Sequence, residues 1–172
     1  GARITVADTR SAPPQLAALQ RDVPSAQFVC GALDAALLQG RDVSAIYKSP
    51  GLSPADTQLV LIAAESIGIS VGGELSLFWQ GLMTLRTSQA YQPAVLAVTG
   101  TNGKTTVTAL TGQLVERAGK SVAVAGNIGP TLLDTLAHHI DAGTLPQVWV
   151  LELSSFQLEG EHAFEPTAAA VL

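Results

Sequence analysis

The residues with the clearest chemical potential lie in the stretch VTGTNGKTTV, residues 98–107. A glycine-rich turn ending in Gly-Lys-Thr is typical of phosphate-binding loops, although only two residues separate Gly100 from Gly103 here, where the common loop has four. In such a loop Lys104 would reach the terminal phosphates, and the hydroxyl of Thr105 would contact a magnesium ion. The alternative interpretation is a tight glycine turn with a solvated lysine.

The segments on either side of this loop discriminate between the two interpretations. The apolar run at residues 94–99 predicts a buried strand, and KTTVTALTGQLVERA at residues 104–118 predicts a helix that Gly119 would end. The glycines then lie where a strand meets a helix N-terminus. Unpaired backbone N–H groups and the helix dipole favour an anion there, so this setting favours phosphate binding.

A carboxylate for the metal is predicted on a neighbouring strand. Residues 148–153 read as a buried strand with Glu152 close to its carboxyl end, and that end of a parallel strand opens onto the ligand crevice of an open sheet. Because magnesium on a triphosphate usually also takes a protein carboxylate, we expect Glu152 to serve it. Taken alone, Glu152 is equally well a strand-end glutamate that faces water.

Neutral hydrogen-bonding side chains accompany this carboxylate. Ser154, Ser155 and Gln157 follow the strand and offer groups that hold a polar substrate. Asn127, in the sequence AGNIG, lies at another strand-to-helix junction and is a candidate for the same crevice. Gly-Asn is also common turn chemistry, so a purely structural role for Asn127 stays open.

The elements that must position these residues alternate along the chain. Short apolar runs and longer amphipathic stretches predict an α/β fold with parallel sheets. Strands are predicted at residues 4–7, 27–30, 45–48, 69–71, 95–99, 122–125, 148–153 and 168–172. Helices are predicted at residues 14–21, 33–38, 57–67, 75–85, 104–118 and 131–140.

Two incomplete domains are predicted. The polar stretch TSQAYQP at residues 87–93 ends in proline, and a fresh strand–loop–helix unit follows it. We therefore predict a Rossmann-like, substrate-binding domain over residues 1–90 and a parallel-sheet P-loop ATP-binding domain over residues 91–172. Both ends of the chain read as strands, which leads us to expect a fragment of a longer protein.

Composition narrows the class of partner. Hydrophobic residues make up 47% of the chain, and the net charge of −5 comes with no Lys/Arg cluster, which argues against nucleic-acid binding. The longest apolar run, residues 59–64, is too short to insert into a membrane. No signal peptide is visible, and the single Cys30 rules out an internal disulfide, so a cytoplasmic location is expected.

The motifs together resemble the Mur ligase family of peptidoglycan synthesis. TGTNGKTT matches that family's loop, TG-[ST]-NGK-[ST]-[ST], which accounts for the short spacing between the glycines. LELSSFQLE and AGNIG are similar to the branch that joins D-glutamate to UDP-N-acetylmuramoyl-L-alanine. The segments DTR, SPG and GGELSLF, at residues 8–10, 49–51 and 72–78, extend the resemblance over nearly the whole chain.

The resemblance implies an ATP-dependent amide-bond ligase with ATP and Mg²⁺ as cofactors. ATP would phosphorylate the carboxylate of the muramoyl-linked L-alanine, and the amine of D-glutamate would attack the acyl phosphate. Lys104 and Glu152 would be catalytic, and Thr105 and Glu152 would ligate magnesium. The implied ATP-binding residues are Gly100, Thr101, Asn102, Gly103, Lys104, Thr105 and Thr106. The implied substrate-binding residues are Asp8, Thr9, Arg10, Ser49, Gly51, Asn127, Ser154 and Gln157.

The chain departs from the family pattern at both ends. The family's first βα unit with its diphosphate loop, the histidine and carbamylated lysine of a second magnesium site, and the C-terminal domain have no counterpart in this sequence. We therefore expect the chain to be inactive alone. We also expect it to be a monomer.

Three alternative functions stay open. Another P-loop NTPase would usually have a longer loop and a strand-end aspartate, and a non-catalytic Rossmann module would need G-x-G-x-x-G. The third alternative is another amide ligase, such as a folylpolyglutamate synthetase.

Overall fold

A computed structural model describes residues 2–172 as alternating strands and helices, which confirms the predicted α/β class. The strands are β1 Thr5–Asp8, β2 Gln27–Cys30, β3 Ala45–Tyr47, β4 Ser70–Gly72, β5 Ala94–Thr99, β6 Val122–Gly126, β7 Val148–Glu152 and β8 Ala168–Val171. The helices are α1 Leu16–Asp22, α2 Pro54–Ser66, α3 Glu74–Gln89, α4 Lys104–Arg117, α5 Leu132–Asp141 and α6 Ser155–Leu158. Across the described residues, no helix is both long and apolar enough to cross a membrane.

The chain forms two compact units. The first contains residues up to Ile46 together with Gly51–Val71, and the second contains Tyr47–Pro50 and Gly72–Leu172. This division differs from the boundary predicted at residues 90 and 91, because α3 packs its buried leucines and Phe78 into the core of the second unit. The predicted division into domains at residues 90 and 91 stays a prediction.

The first unit is built on parallel strand pairing. β1 and β2 pair from Thr5 opposite Gln27 to Asp8 opposite Cys30. The segment predicted as a helix at residues 33–38 contains only a 3-10 helix, Ala35–Leu37. α2 begins three residues earlier than predicted, because the Ser53 hydroxyl accepts from the N–H of Asp56 and Pro54 occupies the first turn.

The second unit contains one parallel four-stranded sheet in the order β6-β7-β5-β8. All five residues of β7 are buried, since this strand lies between two neighbours. The register aligns Glu152 with Val98 of β5 and Gly126 of β6, and it aligns Thr99 with Val171 of β8. The carboxyl ends of all four strands therefore meet at one edge of the sheet.

Helices cover both faces of this sheet. Side chains of α3 and α5 pack with Ala123 and Ala125 of β6 and with Trp149 of β7 in the main core. α4 packs against β5, β6 and β7 on the opposite face, where a Cβ on Gly112 would lie 2.7 Å from Cγ2 of Val124. Successive residues of β6 alternate between the two faces: Ala123 and Ala125 are buried in the main core, whereas Val124, next to α4, is 39% exposed.

An aromatic cluster anchors the amino-terminal side of the sheet. Trp149 is fully buried and meets the ring of Phe78 edge-to-face at 5.1 Å. Its indole N–H donates to the Tyr91 hydroxyl at 2.9 Å, and that hydroxyl donates to the carbonyl of Pro146 at 2.6 Å. Burial of the Tyr91 phenol raises its pKa, so the hydroxyl stays protonated and keeps its donor role.

Candidate functional site

The glycine-rich loop joins β5 to α4 at the carboxyl edge of the sheet, where it was predicted. Gly100 has φ +132° and Gly103 has φ +81°, a backbone region that glycine tolerates best. A Cβ on Gly100 would lie 2.1 Å from the carbonyl oxygen of Leu172, so no side chain fits there. The N–H of Thr101 also donates to that carbonyl, at 3.2 Å. The loop is therefore curled tightly and tied to the neighbouring strand end.

The start of α4 supplies the donors for an anion. The helix begins at Lys104, with Gly103 as its N-cap residue and no side-chain cap. By helix geometry, the first backbone N–H groups have no partner within the helix, and the positive end of the helix dipole lies among them. The side chains of Thr105 and Thr106 are exposed at this end. This arrangement suits a phosphate group.

Lys104 lies back over the loop. Its ammonium donates to the carbonyl of Gly100 at 2.8 Å and reaches the carbonyl of Thr101 at 3.4 Å. The ammonium therefore lies at the loop, held by two neutral carbonyls, and no carboxylate of residues 2–172 forms an ion pair with it. A phosphate would be a stronger acceptor than either carbonyl, because both partners would then be charged.

Glu152 ends β7 as predicted, but it does not face water, since only 3% of the residue is exposed. Its Oε1 accepts from Nδ2 of Asn127 at 3.3 Å. None of the ion pairs found within residues 2–172 includes Glu152. A buried carboxylate without a positive partner is costly, so a cation at this position would stabilise it.

The oxygen donors at this edge fit magnesium. Mg²⁺ prefers oxygen ligands and is usually held by one or two carboxylates together with substrate phosphates and water. Glu152 offers the carboxylate, and Thr105 offers a hydroxyl at the start of α4. Within residues 2–172 no group of three or more His, Cys, Asp or Glu forms an all-protein metal cage. The donor set therefore matches a cation that arrives with a phosphate ligand.

Ser154 and Gln157 are engaged with each other at the start of α6. The N–H and the hydroxyl of Ser154 both lie 3.0 Å from Oε1 of Gln157, and the N–H of Gln157 donates back to the Ser154 hydroxyl at 3.3 Å. This reciprocal pattern is a capping box. This capping box was not predicted, although Ser-x-x-Gln after a strand is its sequence signature. The predicted contact of these two residues with a substrate stays a prediction.

Asp8, Thr9 and Arg10 lie in the first unit, at the carboxyl end of β1. The Arg10 guanidinium donates to both carboxylate oxygens of Asp8, at 2.9 and 2.8 Å, and the Arg10 backbone N–H adds a bond of 2.8 Å. These hydrogen bonds lower the pKa of Asp8 to about 2. Ser49 and Gly51 follow β3. Substrate binding by these five residues stays a prediction.

Gly126 is a residue to which the sequence analysis gave no role. It has φ +131°, and a Cβ there would lie 2.1 Å from the carbonyl oxygen of Glu152. The next residue, Asn127, donates its backbone N–H to that same carbonyl at 2.8 Å. A glycine at a strand end is the only sequence signal of such a close approach.

Two family models match this chain. Residues 98–172 match the Mur ligase middle domain, and residues 1–73 match the Mur ligase MurD-like N-terminal domain. The UDP-N-acetylmuramoylalanine–D-glutamate ligase of Albidiferax ferrireducens is 73% identical over 172 residues, which are 100% of this chain and 34% of that protein. The ligase of the same name from Burkholderia cenocepacia is 58% identical over 174 residues, again 100% of this chain and 34% of that protein.

A solved structure of UDP-N-acetylmuramoyl-L-alanyl-D-glutamate–2,6-diaminopimelate ligase is 24% identical and covers 74% of this chain and 32% of that one, with a TM-score of 0.38. That similarity is too low to carry an argument. The chain spans about a third of the length of the curated relatives named above. The two family models lie side by side along the sequence, in the order of its two predicted domains. The chain belongs to the Mur ligase family.

Proposed function

We propose that the longer protein containing this chain joins D-glutamate to UDP-N-acetylmuramoyl-L-alanine, using ATP and Mg²⁺ and passing through an acyl phosphate. The observation that carries the proposal is the pairing of two features at one sheet edge. These are the curled loop before α4 with Lys104, and the buried Glu152 on the adjacent strand, which is in register with Val98. The names of the relatives support the choice of substrates.

The loop residues bind and orient the nucleotide in this proposal. The N–H groups at the start of α4 receive the phosphates, and Lys104 exchanges its contacts with the carbonyls of Gly100 and Thr101 for phosphate oxygens. When bound, Mg²⁺ would neutralise the negative charge on the phosphate tail. Glu152 and Thr105 would hold the metal ion, and Asn102 and Thr106 would line the loop. These residues mainly contribute positioning and electrostatic stabilisation.

The acceptor substrate is bound by the polar groups that the resemblance assigns to it. Asp8, Thr9, Arg10, Ser49 and Gly51 would hold the uridine end, and Ser154 and Gln157 would face the nucleotide sugar. The resemblance also assigns Asn127 to the nucleotide sugar. The substrate carboxylate oxygen attacks the γ-phosphorus of ATP, and ADP leaves. The amine nitrogen of D-glutamate then attacks the acyl carbon and loses a proton, and phosphate leaves.

The cellular setting follows from the same proposal. A lone cysteine, Cys30, and a requirement for ATP support a cytoplasmic location. A monomeric state stays a prediction.

A coupled assay of ADP release by the full-length protein tests the proposal. We expect turnover only when UDP-N-acetylmuramoyl-L-alanine, D-glutamate, ATP and Mg²⁺ are all present. Lys104→Ala should abolish turnover, whereas Lys120→Ala, which removes a lysine just beyond α4, should preserve it. ADP release that ignores D-glutamate, or turnover with L-glutamate or lysine in its place, would contradict the assignment.

A further inference from the structure

The carboxylate of Glu152 has one neighbour that fixes its orientation. It is buried at the end of β7, and no basic side chain in the described part of the chain pairs with it. Its Oε1 accepts from Nδ2 of Asn127 at 3.3 Å. A buried carboxylate with a single amide donor has one oxygen held by the protein and the other oxygen available to a ligand.

The position of Asn127 is itself fixed by the backbone of β7. Its N–H donates to the carbonyl of Glu152 at 2.8 Å, so this asparagine contacts both the main chain and the side chain of Glu152. The turn behind it is closed by a hydrogen bond of 3.0 Å from the N–H of Gly126 to the carbonyl of Pro130. Gly126 lies so close to Glu152 that no Cβ fits between them. The amide donor is therefore in place before any ligand binds.

The neutral charge of this donor matters for a cation-binding carboxylate. An ammonium or guanidinium at this position would orient Glu152 but would also neutralise it and repel a metal ion. An amide orients the carboxylate and leaves its full negative charge for the cation. Such outer partners of ligating carboxylates typically contribute a factor of about 10 to 100 in metal affinity or activity.

We propose that Asn127 is a positioning residue that acts through Glu152, holding the carboxylate in the orientation that receives the magnesium ion. The resemblance assigned Asn127 to the nucleotide-sugar substrate, but the described structure gives its side-chain amide to Glu152. The inference rests on the proposed function in one respect, namely that Glu152 is a metal ligand.

Binding of Mn²⁺ to the full-length protein, in the presence of a non-hydrolysable ATP analogue, tests the inference without turnover. Free Mn²⁺ is followed by electron paramagnetic resonance. We expect Asn127→Ala and Asn127→Leu to raise the Kd for Mn²⁺ by about 10-fold or more. Leucine has nearly the volume of asparagine but no donor, so it separates the hydrogen bond from packing. Ile128→Ala, an exposed neighbour in the same turn, should leave the Kd unchanged.

Steady-state kinetics separate this role from a substrate contact. In Asn127→Ala we expect the half-saturating Mg²⁺ concentration to rise, while KM for UDP-N-acetylmuramoyl-L-alanine changes by less than about 2-fold. An unchanged Kd for Mn²⁺ with a raised KM for the nucleotide sugar would overturn the inference in favour of a substrate contact. A lowered melting temperature of the ligand-free protein, at an unchanged Kd for Mn²⁺, would overturn it in favour of a structural role.

The variant Glu152→Gln distinguishes the failure of this inference from that of the proposed function. If it binds Mn²⁺ as tightly as the wild-type protein, Glu152 is not a ligand and the inference fails, whatever reaction is catalysed. If it binds Mn²⁺ weakly but the wild-type protein does not use D-glutamate, the proposed function fails and the role of Asn127 is still decided by its own Kd.

Discussion

Replacement of Gly126 by alanine should damage the carboxyl edge of the sheet. The added Cβ would lie 2.1 Å from the carbonyl oxygen of Glu152, and 3.0 and 3.1 Å from its carbon and nitrogen. All three are backbone atoms of the central strand β7, so no side-chain rotation relieves the clash. The φ of +131° is also a conformation that alanine rarely adopts.

The expected cost follows from these two effects. Backbone strain of this kind costs about 1–3 kcal/mol, and overpacking in a tight site costs about 1–3 kcal/mol more. We therefore expect the free energy of unfolding to fall by about 2–6 kcal/mol, which is a large fraction of a typical total of about 5–15 kcal/mol. Urea unfolding of the 172-residue chain, followed by the fluorescence of Trp79 and Trp149 in the second unit, measures it.

Gly119→Ala is the matched control for this substitution. Gly119 also has a positive φ, +76°, but nothing lies within 4 Å of its Cβ position. Only the left-handed conformation is then strained, at about 1–2 kcal/mol. If Gly126→Ala costs no more than Gly119→Ala, the close approach of β6 and β7 at Glu152 is refuted.

Three further predictions concern single hydrogen-bonding groups. Thr108 is buried on α4, and its hydroxyl has no hydrogen-bond partner among the described residues. Thr108→Val should therefore raise the free energy of unfolding by about 1 kcal/mol, and a lower free energy of unfolding in urea denaturation would contradict this. Tyr91→Phe leaves the indole N–H of Trp149 buried without its acceptor and should cost about 1–3 kcal/mol, whereas an unchanged urea midpoint would show that the indole N–H finds another acceptor. Arg10→Ala should raise the pKa of Asp8 from about 2 toward 3.8, as followed by NMR titration, and an unmoved pKa would contradict the ion pair. Because folding lowers this pKa, the stabilisation is present at neutral pH and is lost as the pH falls from 3.8 to about 2.

The positions of the glycine-rich loop and of the strand-end carboxylate were predictable because their signals are local. A buried run, two glycines and a helical stretch place Lys104 at a helix start, and the structure begins α4 at that residue. The apolar run of β7 likewise places Glu152 at a strand end. Parallel strands then bring both to one edge without any knowledge of side-chain contacts.

Two of the features that could not be predicted from the sequence depend on residues distant in the chain. The amide of Asn127 donates to Glu152, twenty-five positions away, and nothing in the sequence AGNIG specifies that partner. The packing of α3 in the second unit depends on Phe78 meeting Trp149, which a polar stretch after the helix does not reveal. The start of α2 three residues earlier than predicted has a local cause, since Ser53 and Pro54 form a helix-start signal that can be seen in the sequence.

A structure of the full-length protein with Mg²⁺ and a non-hydrolysable ATP analogue tests the central claim most directly. We expect the terminal phosphates to lie against residues 100–106 with Lys104 turned from the loop carbonyls toward them, and the metal to lie against Glu152. A nucleotide bound elsewhere, with Lys104 still on the carbonyl of Gly100 and no metal at Glu152, would contradict the claim.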